Sequence, residues 1–292
     1  MLTAKNKHDQ FLSGQVNDFL NQLLINARLS WFRRKRYKEI HKLNLIYHIA
    51  PIQSNNVWRD NVRLLSTYFE RFDRIILGVV TGEGMVPFEK VQHELGSQET
   101  RIEWIVKPNC PKLGEMATFP TMLSKIASTD ASHATFYGHT KGVSRPGSLA
   151  VEMWKNSMYH ACLFDTDRIK KLLRMYACAG PFKKRGQSED WQPVRKGHFH
   201  FAGTFFWFRN DQVFSNPKWQ ELRYYRYGVE EYLGSLIDDR NAACLFGEYA
   251  GNLYSEIEHS KCRNFFFTAS RFIGHSLKNR LSHYTGHGSS KN

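Results

Sequence analysis

Cysteine is scarce and unpatterned in this chain: Cys110, Cys162, Cys178, Cys244 and Cys262 are odd in number, widely spaced and form no C-x-x-C pair. Neither a disulfide framework nor a zinc knuckle is expected, and a reduced, cytoplasmic setting fits. Long hydrophobic runs are missing too. No stretch reaches the roughly 18 apolar residues of a spanning helix, and the first ten residues lack the apolar core of a signal peptide. Three catalytic signatures are absent: the G-x-x-x-x-G-K-[ST] phosphate loop, the G-x-S-x-G elbow and the dinucleotide fingerprint. Gly82-Glu-Gly84 is followed by Met-Val-Pro, where the fingerprint needs a third glycine and a helix. Acidic residues are absent from 260–292, which hold six basic ones, while residues 1–43 hold nine basic and three acidic residues. Twelve of the fourteen net positive charges therefore lie at the two ends. That distribution disfavours a general nucleic-acid binder and points to peripheral contact with an anionic membrane surface, with RNA as the other candidate.

The chain does have enough apolar material for a large core, with 41% hydrophobic and 14% aromatic residues. Residues 1–43 read as a basic amphipathic helical extension: Leu12, Val16, Phe19, Leu20, Leu23 and Leu24 recur at helical spacing, followed by Trp31, Phe32 and Arg33-Arg-Lys-Arg36. Residues 260–292 form a basic aromatic tail. Between them, 44–259 reads as one domain in which strands alternate with helices. Strands are expected at 44–50, 72–80, 102–106 and 134–138, helices at 57–69 and 115–127, helical structure broken near Asp165 at 149–176, and a hairpin-like or sheet-core run at 199–209. That alternation predicts an α/β fold with a mostly parallel central sheet, flanking helices and right-handed crossovers. Open sheets of this kind deliver functional groups at the carboxyl ends of their strands. Tyr137-Gly-His-Thr-Lys-Gly142 and Ala202-Gly-Thr-Phe-Phe-Trp-Phe-Arg209 join apolar strand patterns to polar or glycine-rich chemistry.

Five segments taken in order resemble the bacterial glycosyltransferases of the rhamnan-synthesis type: Asn44 to Pro51, Phe72 to Val79, Pro108 to Glu115, Tyr137 to Gly142 and Ala202 to Arg209. The resemblance covers residues 44 to about 250. It implies a GT-A-like, Rossmann-like nucleotide-sugar fold and transfer of a hexosyl or deoxyhexosyl group from a nucleoside-diphosphate sugar to a polysaccharide or lipid-linked acceptor. Such chemistry needs compensation for negative charge growing on the leaving diphosphate, and a base for the acceptor proton. The resemblance places Glu115 near the ribose or base, although a first-turn carboxylate also suits a helix dipole. It places His139, Thr140 and Lys141 where the fold usually carries a metal-binding D-x-D. That motif is missing there, so a divalent cation such as Mg or Mn stays open without its usual ligands, and metal-independent neutralisation by Lys141 with Arg145 is the alternative. Asp165-Thr-Asp167 spells D-x-D inside a helical pattern and reads as a cap. Gly203 and Thr204 fall on the expected acceptor-side strand. Glu230 and Glu231 are the candidate bases, ahead of an expected helix at 242–246, with Glu230 the first choice. His198 and His200 share one strand face and read as ordinary strand-end histidines. A catalytically silent nucleotide-sugar- or glycan-binding protein and an RNA-associated basic protein are the alternative functions.

Overall fold

The computed structural model describes residues 37–95, 100–185, 199–245 and Leu253. Residues 1–36 of the expected extension 1–43, the tail over 260–292 and His198 lie outside the described residues. Lys38 onward forms one compact unit. Its seven-stranded sheet has the order 102–108, 74–81, 42–49, 133–139, 206–209, 178–180, 242–244, and 183–185 pairs with 199–201 in a separate two-stranded sheet.

The first four strands are β1 (Lys42–Ile49), β2 (Arg74–Thr81), β3 (Ile102–Pro108) and β4 (His133–His139), all parallel. β1 and β2 are buried almost end to end, which explains their continuous apolar sequences: helices cover both faces of a parallel sheet. Period two then sorts the side chains. Leu45, Tyr47, Ile49 and Phe136 join one core cluster with Trp58, Val62 and Leu65 of α1 (Val57–Ser66). Ile46, Ile76 and Tyr137 join the other, with Phe119, Met122 and Leu123 of α3 (Phe119–Lys125). A further helix, α2 (Phe88–Leu95), precedes β3. Ile40 and Leu43 are buried in the same body.

Beyond β4 the chain forms α4 (Leu149–Tyr159), a π-turn at His160–Phe164 and α5 (Thr166–Leu173). The break near Asp165 is where the sequence places it, and the Asp165 side chain accepts from the Arg168 N–H as a helix cap. Next come β5 (Cys178–Gly180), β6 (Lys183–Arg185), β7 (Phe199–Phe201) and β8 (Phe206–Arg209). β8 runs antiparallel between β4 and β5. The run at 199–209 is thus divided between two sheets.

Two local expectations are corrected here. Gly203 and Thr204 lie in a tight turn rather than a strand, with φ of 91° and 58°. Ala242–Cys244 is not helical but forms β9, parallel to β5. Three residues are too few for either period to declare itself, and the neighbouring strand decides. The last helices are α6 (Asn210–Phe214) and α7 (Gly228–Leu236). None of the helices among the described residues is long and apolar enough to cross a membrane.

Strand order reverses between β1 and β4: the chain winds outward from β1 to β3, then returns past β1 to place β4 on its other side. Such a switch point opens a crevice outside the carboxyl ends of the two strands. His48 and His139 are register partners at those ends.

Candidate active site

Gly78 on β2 admits the element that builds one wall of this crevice. A Cβ there would lie 2.5 Å from the Thr118 Cβ, so only glycine lets the 118–125 region sit this close to the sheet. Thr118 Oγ1 then meets His48 Nδ1 at 2.8 Å. The 3-10 turn Gly114–Ala117 precedes it and carries Glu115.

Glu115 and His139 meet at the crevice: Glu115 Oε1 lies 3.4 Å from His139 Nδ1, with the two side chains 18% and 16% exposed. The Tyr137 hydroxyl donates to Glu115 Oε2 at 2.8 Å. On its other side, His139 Nε2 lies 3.0 Å from the Gly203 carbonyl oxygen. A carbonyl only accepts, so Nε2 carries a proton and donates. Burial holds the imidazole well below its usual 6.5, helped by the charge of Lys141, so it stays neutral and Nδ1 presents a lone pair. Facing that lone pair, Glu115 is pushed up to about 8, first by burial and then by the nearby Glu230 carboxylate, against the opposing Tyr137 hydrogen bond and the charges of Lys141 and Arg226. Both observations describe one state: a protonated Glu115 donating towards a neutral His139.

Gly203 completes this arrangement. Its φ of 91° is open to glycine, and a Cβ would lie 2.5 Å from Met158 Sδ and 3.0 Å from the Trp154 ring. Thr204, also buried, closes the turn by donating its N–H to the Phe201 carbonyl.

Lys141 lies two residues beyond the end of β4. Its backbone is clamped by Asn61, whose amide donates to the Lys141 carbonyl at 3.0 Å and accepts from its N–H at 3.2 Å. Asn61 is held in turn by the Tyr159 hydroxyl, which meets the Tyr47 hydroxyl at 2.5 Å. The nearly buried ammonium lies 3.7 Å from the centroid of the Trp154 ring. Aromatic support of this kind keeps a cation in place in a water-poor setting.

The other sequence candidates take different positions. Thr140 is buried and accepts from the Ala50 N–H, tying the ends of β4 and β1 together. Arg145 is exposed on a turn closed by its N–H bond to Gly142. Glu230 and Glu231 both lie in the first turn of α7. Glu230 Oε1 is 3.8 Å from His200 Nε2, whereas Glu231 faces Arg223 at 3.7 Å. Sequence reasoning missed Tyr137, Arg226 and the pairing of His200. Arg226 lies on the exposed segment before α7 and packs against Gly114, where a Cβ would lie 3.4 Å from its Cγ. The signal for it was Arg223-Tyr-Tyr-Arg-Tyr227, a basic and aromatic cluster just ahead of the candidate bases.

The donor set does not fit a divalent cation. His139 Nδ1 and the Glu115 carboxyl are the two donors that meet there, and the Lys141 ammonium would repel a metal beside them. Among the described residues no group of three His, Cys, Asp or Glu side chains is placed to hold one.

The fold and site define an α/β protein with titratable and cationic groups gathered at the switch point of its sheet. No protein-family model matches the chain, and no curated protein does. Among solved structures the chain is similar to a 4-diphosphocytidyl-2C-methyl-D-erythritol synthase, with 12% identity and a TM-score of 0.38, over 78% of this chain and 99% of that one. At that distance the likeness decides neither substrate nor reaction.

Proposed function

We propose that the protein is a glycosyltransferase of the rhamnan-synthesis type, moving a hexosyl or deoxyhexosyl group from a nucleoside-diphosphate sugar to a glycan or lipid-linked acceptor. The observation that carries this reading is the convergence of Glu115, His139, Lys141 and Glu230 from three parts of the chain on the carboxyl edge between β1 and β4. Ligands of open α/β sheets bind there.

Each group has a task in that reaction. Lys141, fixed through Asn61 and Trp154, and Arg226 at the lip supply positive charge to the departing diphosphate, which needs no reorganisation at the moment of reaction. Glu115 suits a neighbour of phosphate because it is protonated: it offers a hydrogen bond without adding a repelling charge. Glu230 is the carboxylate that receives the acceptor proton. Contact of residues 1–43 and 260–292 with an anionic membrane would bring the enzyme to a lipid-linked acceptor.

A panel of nucleoside-diphosphate sugars offered with a glycan acceptor tests this directly. Acceptor-dependent release of the nucleoside diphosphate is expected from one of them, and Lys141→Met should lower kcat by about 100-fold while leaving the fold intact. No acceptor-dependent release, or an undiminished Lys141→Met variant, would contradict the reading. A second reading, binding without turnover, draws on the mutual engagement of Glu115 and His139 and of Lys141 and Trp154. Its result would be nucleotide-sugar binding with no release in the wild type.

A further inference from the structure

The small two-stranded sheet holds a second pair of titratable groups, one of them beside Glu230. Lys184 on β6 and His200 on β7 are cross-strand partners, so their side chains leave the same face, and both residues are buried. α7 lies hard against β7: a Cβ at Gly234 would come within 1.9 Å of the Phe199 carbonyl oxygen. That contact fixes the helix against the strand and brings Glu230 to His200, 3.8 Å apart, with side chains only 10% and 7% exposed. The adjacent Glu231, equally interior, has Arg223 as its cationic neighbour. Two consecutive carboxylates are therefore served by different bases, and Glu230 is the one whose charge reaches Glu115.

A buried histidine and carboxylate 3.8 Å apart, beyond hydrogen-bond distance, are a poor device for stability, since apolar side chains of the same volume serve as well or better. Their worth here is in holding a carboxylate at a defined place. We propose that His200 is a positioning residue for the acceptor base: its imidazole keeps Glu230 oriented and ionised so that Glu230 can take the acceptor's proton. This rests on the glycosyl-transfer reading. In that step the acceptor oxygen bonds to the anomeric carbon, the bond from that carbon to the phosphate oxygen breaks, and its electron pair leaves on the diphosphate. The hydroxyl proton passes to Glu230. The groups around Glu230 are His200 from β7, which has Lys184 as its cross-strand partner on β6, Glu115 from the 3-10 turn, and Glu231 with Arg223 beside it.

The test is the pH profile of transfer in the wild type and in His200→Gln, with nucleoside diphosphate affinity measured alongside. The variant should lose about tenfold in kcat near neutrality, its acid limb should move to higher pH by at least about half a unit, and its nucleotide affinity should stay unchanged. A uniform loss with the acid limb unmoved would mean a merely structural histidine and overturn the proposal. Independently of turnover, NMR titration of His200 should show its midpoint falling when Glu230→Gln removes the partner's charge. An unmoved midpoint overturns the pairing. A wild type without acceptor-dependent transfer sinks the glycosyl-transfer reading instead, while the NMR titration still decides whether Glu230 and His200 are coupled.

Discussion

Arg209→Met should lower the stability of the protein by about 3–5 kcal/mol, the range expected when one member of a buried charged network is removed. Arg209 has no exposure to solvent. It donates to the carbonyls of Lys38, Leu173 and Ala131 and to Asp211 Oδ1 at 2.9 Å, while its own N–H donates to the Ala177 carbonyl. Four separate parts of the chain are joined through one guanidinium at the end of β8. Methionine keeps the volume but leaves these carbonyls and a largely buried carboxylate without their donor, each a desolvated group whose loss is costly. Lysine keeps the charge yet lacks the planar fork that reaches several acceptors at once, so it should recover only part of the loss. Urea denaturation of the three proteins measures this. A loss below about 1 kcal/mol for Arg209→Met would show that the network is dispensable.

Glu115→Gln should make the protein more stable above pH 8 by about 3 kcal/mol and leave it unchanged below pH 4.5. The folded protein holds the Glu115 proton up to about 8, against an ordinary value of 4.5. Its contribution to stability is therefore complete below 4.5 and is lost as pH rises through 8, because the unfolded chain releases the proton first. The full shift would correspond to about 1.36 kcal/mol per unit, and the expected effect is set lower because the side chain is 18% exposed and water relaxes around it. Glutamine can reproduce both contacts without titrating: its NH2 donates to His139 Nδ1, and its carbonyl accepts from the Tyr137 hydroxyl. Paired denaturation curves from pH 4 to 9 should diverge through this window. Parallel curves would mean that the folded protein does not hold the Glu115 proton above its ordinary range.

The sheet was legible in the sequence because β1, β2 and β4 are buried on both faces and read as apolar runs separated by helical patterns. The cap at Asp165 was legible because capping is local. Less was readable where structure depends on distant partners. β9 is a strand because β5 lies beside it, and the 203–204 turn needs glycine at 203 because a side chain there would meet Met158 and Trp154. The site followed the same division. Glu115, His139, Lys141 and Glu230 could be picked out by their positions after strands or at a helix start, but their partners could not. Glu115 with His139, His139 with Gly203 and Glu230 with His200 are contacts across the fold that no sequence spacing encodes. Arg145 and Thr140 show the converse: favourable sequence neighbours of Lys141, one faces solvent and the other closes the strand ends.

The central claim is that a nucleoside diphosphate sits outside the carboxyl ends of β1 and β4. Backbone amide chemical-shift mapping with a nucleoside diphosphate tests it most directly. The largest changes should cluster at residues 48–50, 114–117, 139–142 and 226–230, and should weaken in Lys141→Met. Shifts confined to the opposite edge of the sheet, or no saturable shifts from any nucleoside diphosphate, would contradict the account.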